Sequence, residues 1–130
     1  MLVVDAGVLV VALGDDGPAG ALARKRLVHE RLAAPELIDL EVVSVLRRQV
    51  ASGGFPAARA RQAIVDLRMM PLVRSPHAPL LERCWELREN VTVYDAAYVA
   101  LAEALDAVLL TADQRLASAP GPRCSRELIG

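Results

Sequence analysis

Short, wholly apolar runs alternate with longer amphipathic ones along this chain. Leu2-Val3-Val4 is apolar, β-branched and too short for a helix, so it predicts a buried strand running into Asp5. Ala6–Leu13 is long enough for a short helix, which Gly14-Asp15-Asp16-Gly17 stops. Pro18 sits where a helix begins, and Ala19–Leu32 reads as that helix, broken by Ala33-Ala34-Pro35. The clearest helix is Pro35–Ala51. Leu37, Leu40, Val43 and Arg47 recur there every three or four residues, and Gly53-Gly54 follows as a stop. Pro56 opens another helix that runs to about Arg68. Pro71-Leu72-Val73 predicts a short strand, and Pro76–Glu89 a helix with Leu80, Cys84 and Leu87 on one side. Tyr94–Leu105 predicts an alanine-rich helix and Val108–Thr111 a second strong strand. A short helix Gln114–Ser118 and an edge strand near Arg123–Ser125 are the last elements. Strands separated by helices predict an α/β layered domain over 1–130, helix-rich, with a short and mostly parallel β-sheet flanked by helices.

Composition adds material for a core and removes several classes. Hydrophobic residues make up 54% and aromatics only 3%, so the core is built from Val, Leu, Ile and Ala, and disorder is excluded. No apolar stretch reaches the roughly 18–20 residues that span a bilayer, and Met1–Leu13 lacks the basic start of a signal peptide. Cys84 and Cys124 are isolated and form neither a disulfide framework nor a metal-spaced pair, which fits a reducing cytoplasm. The net charge of -1 carries no global sign of nucleic-acid binding. Its distribution does. From Arg47 to Arg88 there are eight arginines against three acids, a formal +5, which suits either phosphate binding or solvated helix faces.

The candidate chemistry lies in four carboxylates. In open α/β sheets, ligands gather beyond the carboxyl ends of the strands. Asp5 follows the first strand, and Asp113 stands two residues past Thr111. Taken singly, each acid also fits a plainer role. Asp5, Asp95 and Asp113 suit the N-caps of the helices that follow them, and Glu41 suits an ion pair with an arginine such as Arg48. Taken together, they need cations to stay ionised at one place, because the only lysine, Lys25, lies in an early helix. Oxygen-only donors favour Mg²⁺ or Mn²⁺ over zinc, and such a site can activate water against a phosphodiester. A receiver-type signalling domain would want paired acids after the first strand and a late lysine, both lacking here. His29, His77, Ser44 and Cys84 sit in no triad pattern, and there is no glycine-rich phosphate loop.

The segments Val3–Val10, Ala34–Leu37, Glu41–Arg48, Arg88–Glu103 and Leu109–Leu116 arrive in an order and spacing that resemble the PIN-domain proteins, and more narrowly the VapC-type toxins of type II toxin–antitoxin pairs. Tyr94-Asp95-Ala96-Ala97-Tyr98 with Val99 to Glu103 is the most specific of them. The resemblance implies a three-layer PIN-like fold and a metal-dependent endoribonuclease acting on structured RNA such as tRNA or rRNA. It also implies a homodimer and neutralisation by a cognate VapB-type antitoxin. It places Asp5, Glu41, Asp95 and Asp113 in the catalytic and metal-binding site, with one or two Mg²⁺ ions, Mn²⁺ as substitute, and Glu41 bound directly or through water. Hydrolysis would leave a 5′-phosphate and a 3′-hydroxyl. Thr111 fits the family's small hydroxyl before the last acid, where it orients a neighbouring carboxylate. Arg88 and Arg115 are the candidates for the flanking phosphates. One departure stands out: many relatives carry Ser or Thr two residues after the first acid, and this chain has Gly7. A PIN-like module that only binds RNA or a partner is the alternative that Gly7 leaves open.

Overall fold

Five strands of three or four residues lie side by side in the computed structural model, which describes residues 1–130. They are β1 (Leu2–Val4), β2 (Leu32–Pro35), β3 (Leu72–Ser75), β4 (Val108–Thr111) and β5 (Arg126–Leu128). The sheet runs in the order β3-β2-β1-β4-β5 and every pairing is parallel. Parallel neighbours need long crossovers, and helices supply them. These are α1 (Ala6–Gly14), α2 (Pro18–Leu27), α3 (Ile38–Ala51), α4 (Ala57–Met69), α5 (Leu81–Glu86), α6 (Val93–Leu105) and α7 (Gln114–Ser118). α6 packs across β1, β2 and β4, while α1 packs with α2, α3 and α4 as well as β4. All three residues of β1 and those of β4 from Leu109 to Thr111 are buried, as expected of strands covered by helices. One contiguous cluster of 34 buried residues forms the core, with Tyr98 its largest fully buried side chain. No single helix is long and apolar enough to cross a membrane.

The structure redraws several boundaries. The expected helix Ala19–Leu32 stops at Leu27, and His29 turns the chain in the left-handed region at φ 69°. Leu32-Ala33-Ala34-Pro35 is then a strand rather than a helix break. It lies between β1 and β3 with both alanines at 0% exposure. Alanine favours helix locally, and β2 holds no β-branched residue. Burial at the centre of the sheet overrides the propensity. Because Pro35 ends β2, α3 begins at Ile38. Pro76–Glu89 is not one helix. A 3-10 turn, Ala78–Leu80, with Pro79 in it, precedes α5, although Leu80, Cys84 and Leu87 are all buried as predicted. The edge strand lies at Arg126–Leu128 instead of Arg123–Ser125, pairing Leu109 with Arg126. Arg126 Nη1 anchors it by donating to the carbonyls of Leu116 and Ala119 at 2.9 and 2.7 Å.

The glycine stop after α3 is as predicted. Gly53 sits at φ 80°, its N–H reaches Val50 O and that of Gly54 reaches Gln49 O, both at 3.0 Å. That is a Schellman cap, which closes the helix carrying Glu41.

Candidate active site

Strand order on the two sides of β1 sets the position of the crevice. The chain moves outward from β1 through β2 to β3, then crosses back to β4 on the other side, so the switch point lies between β1 and β4. A crevice opens beyond the carboxyl ends of strands at such a point. Asp5 leaves β1 there, and Asp113 follows β4 there.

Asp5 is held from three directions. Its N–H donates to Leu110 O at 3.1 Å, Oδ1 accepts from the Val8 N–H at 3.0 Å, and Oδ2 accepts from the Thr111 hydroxyl. Asp5 therefore does cap α1, while also facing the crevice. Thr111 is fully buried, and its Oγ1 also accepts from the Asp113 N–H at 3.0 Å. Asp113 caps α7, accepting from the Arg115 N–H at 2.9 Å. Asp95 does not cap its helix. Thr92 is the cap of α6, and its hydroxyl accepts from the Asp95 N–H at 3.1 Å. Capping by Thr92 moves Asp95 into the first helical turn, where it lines the crevice. Glu41 makes no ion pair with Arg48. Instead Oε1 accepts from the Tyr98 hydroxyl at 2.6 Å.

Asp5, Glu41, Asp95 and Asp113 all line one cleft of about 570 Å³, with Gly7, Ser44, Arg48, Tyr98 and Gln114. Burial pushes the carboxyl groups of Asp5, Glu41 and Asp95 above the ordinary carboxylate range. Mutual repulsion adds to it: Asp95 acts on Asp5 and Glu41, Asp5 on Glu41, and Asp113 on Asp95. No three His, Cys, Asp or Glu side chains close into a ready-made ligand cage. The donors are carboxylates around an open space, with no histidine or cysteine among the lining residues. That donor set fits a hard divalent cation that retains some of its own waters, and does not fit zinc.

A second groove of about 430 Å³ shares Asp95 and Asp113 with the first and is lined also by Arg88, Asn90, Thr92 and Arg115. Neither Arg88 nor Arg115 pairs with a carboxylate. The Arg88 guanidinium lies over the Trp85 ring, 4.3 Å from its centroid. The other arginines of the basic middle do not form one face. Arg59, Arg74 and Arg83 are bound to Asp16, Asp39 and Glu103. Arg47, Arg61 and Arg68 line an apolar groove between α3 and α4. The pattern of acids did not reveal the Tyr98 hydroxyl or the place of Ser44 and Arg48 in the cleft. The signals were helical spacing: Tyr98 is one turn past Asp95, and Ser44 and Arg48 lie one and two turns past Glu41.

A parallel sheet in this order, with a carboxylate crevice at its switch point, is an α/β domain whose donor set fits a divalent cation. The model of the PIN domain family matches residues 2–122, and the chain belongs to that family. It is 48% identical over 129 residues to Ribonuclease VapC1 of Mycobacterium tuberculosis, covering 98% of this chain and 96% of the relative. Identity to Ribonuclease VapC9 of the same organism is 44% over 124 residues, covering 95% and 94%. Among solved structures, VapBC2 from Rickettsia felis bound to a DNA fragment from its promoter superposes with a TM-score of 0.67 at 14% identity, covering 99% and 98%. At that identity the likeness shows the fold alone.

Proposed function

We propose that this chain is a VapC-type endoribonuclease, the toxin of a type II toxin–antitoxin pair, acting as a single domain over 1–130. The carrying observation is that Asp5, Glu41, Asp95 and Asp113, far apart in sequence, line one cleft at the switch point of a PIN-family sheet. Its relatives at 48% and 44% identity are named ribonucleases, which supports RNA as substrate. Asp5, Asp95 and Asp113 would hold Mg²⁺, or Mn²⁺ in its place, with Glu41 bound directly or through water. The cation, when bound, neutralises the carboxylates and supplies Lewis-acid activation of water and of the phosphodiester. The chain's own residues do the rest. Thr111 and the Val8 N–H fix both oxygens of Asp5, so Gly7 does not leave that carboxylate loose. Arg88 and Arg115 take the phosphates that flank the scissile bond, along the groove that shares Asp95 and Asp113.

The partners follow from the same reading: a tRNA or rRNA substrate, a second copy of this chain, and a VapB-type antitoxin, all in the cytoplasm. Exposed Leu40, Leu81, Trp85 and Tyr94 support self-association. The apolar groove rimmed by Arg47, Arg61 and Arg68 supports an antitoxin with an acidic amphipathic segment.

Asp5→Asn tests the activity. It keeps the side chain's size and one acceptor oxygen for the Val8 N–H or the Thr111 hydroxyl, but removes the charge. Cleavage of total RNA with Mg²⁺ is expected to be abolished, with the circular dichroism spectrum unchanged. Full cleavage by that variant, in protein free of contaminating nuclease, overturns the assignment.

A further inference from the structure

Glu41 differs from Asp5 and Asp113 in having no backbone hydrogen bond to its carboxylate. Asp5 and Asp113 are pinned by the N–H groups of the helices they cap, and Asp95 is set into the first turn of α6. Glu41 lies inside α3, on a side chain with three rotatable bonds, and its only hydrogen bond is the one from Tyr98. Arg48, two turns further along the same helix, lines the same cleft and has no carboxylate partner. An unanchored Glu41 would swing to that guanidinium or out to water. Tyr98 cannot swing. It is 1% exposed and fixed in the core by α6, the helix that also carries Asp95.

We propose that Tyr98 is a positioning residue whose hydroxyl holds Glu41 in the cleft, away from Arg48, leaving the second carboxylate oxygen for the divalent cation. The proposal rests on the cation-dependent reading above. It makes α6 responsible for two acids of the site, Asp95 directly and Glu41 through the phenol. Partners of this kind, one bond removed from the ion, typically alter metal affinity by 10–100-fold.

The test is calorimetric titration of the full chain with MnCl₂, using the parent, Tyr98→Phe, Glu41→Gln and the double variant. Tyr98→Phe keeps the buried ring and removes only the oxygen, and a melting curve in EDTA records that each variant is folded. Tyr98→Phe is expected to weaken Mn²⁺ about tenfold or more. In the Glu41→Gln background the same change is expected to do nothing further, because Tyr98 acts through Glu41. Unchanged Mn²⁺ affinity of Tyr98→Phe overturns the proposal. So does an equal loss in both backgrounds, which would mark a general structural role. A parent chain that binds no Mn²⁺ overturns the functional reading itself, and is recognised before any variant is compared.

Discussion

Thr111→Val isolates the contact that joins the two ends of the chain at the site. Valine keeps the shape of threonine and deletes the hydroxyl that donates to Asp5 and accepts from the Asp113 N–H. A hydrogen bond to a carboxylate contributes about 1.5–3 kcal/mol, and a buried acceptor that loses its donor bears the whole desolvation cost. The Asp113 amide stands at an exposed residue and finds water, so its loss adds little. The added methyl, fully buried, returns up to ~0.8 kcal/mol. The net expectation is a loss of about 2 kcal/mol. An unfolding entropy of about 2.1 cal/mol/K per residue, over a chain of 130 residues, makes that a fall in Tm of ~7 °C. Cleavage should fall 10- to 100-fold, because Asp5 loses one of its two side-chain anchors. Thermal melting in EDTA and initial rates with Mg²⁺ measure the two effects, and Thr111→Ser, which keeps the hydroxyl, should restore most of both. A Thr111→Val chain melting within ~2 °C of the parent and cleaving RNA at the parental rate would refute the account of how Asp5 is held.

The remaining expectations are briefer. Asp5, Glu41 and Asp95 have folded-state pKa values raised first by burial, so their stabilising protonated forms are lost as pH rises through those values. Glu103 is lowered despite burial, by Arg83 and Arg123, and Glu127 by Arg26; their stabilisation disappears only below the ordinary carboxylate range. Above the ordinary carboxylate range the metal-free chain should therefore lose stability as pH rises through those raised values, and excess Mg²⁺ should shrink the loss; a Tm rising with pH there in EDTA would contradict this. In the Asp5→Asn background, Arg88→Ala with Arg115→Ala should reduce the slope of log affinity for single-stranded RNA against log salt by ~1.4, and an unchanged slope removes those arginines from the phosphate path. At Gly7 a Cβ would lie 3.6 Å from Asp5 Oδ1 and 4.0 Å from the Ala112 Cβ, which is ordinary contact. Gly7→Ser should fold normally, gain about 0.5 kcal/mol from helix propensity and keep full cleavage; a drop in Tm would show the glycine to be required.

Sequence pattern exposed the parts of the fold that rest on a single signal. β1 and β4 are apolar throughout, α3 has a glycine stop, and the acids at the two strand ends announced the crevice. The register of α3 differs from the expected one: its buried face is Ile38, Val42 and Leu46, while Leu40, Val43 and Arg47 of the expected rhythm are exposed. β2 was hidden because Leu-Ala-Ala-Pro has helix-favouring alanines and no β-branched residue, and only the sheet around it decides the outcome. Asp95 looked like a cap because it opens an alanine-rich stretch, yet Thr92, three residues earlier, satisfies the helix end. The partner of Glu41 was unreadable for a different reason. Tyr98 lies 57 positions away, and nothing local distinguishes a tyrosine that packs from one that also donates to a carboxylate. The basic middle dissolved on folding because ion pairs form between elements that the chain order separates.

The first strand is made first and completed late. β1 emerges at the start of synthesis, but its neighbour β4 lies more than a hundred residues on, and the Thr111–Asp5 bond spans 106 positions. A chain cut short before β4 would carry Asp5, Glu41 and Asp95 but neither the hydroxyl that aims Asp5 nor the fourth acid. Long-range closure of this kind comes late in folding. On the proposed reading, activity then belongs only to a chain that already has β4 and Asp113 in place.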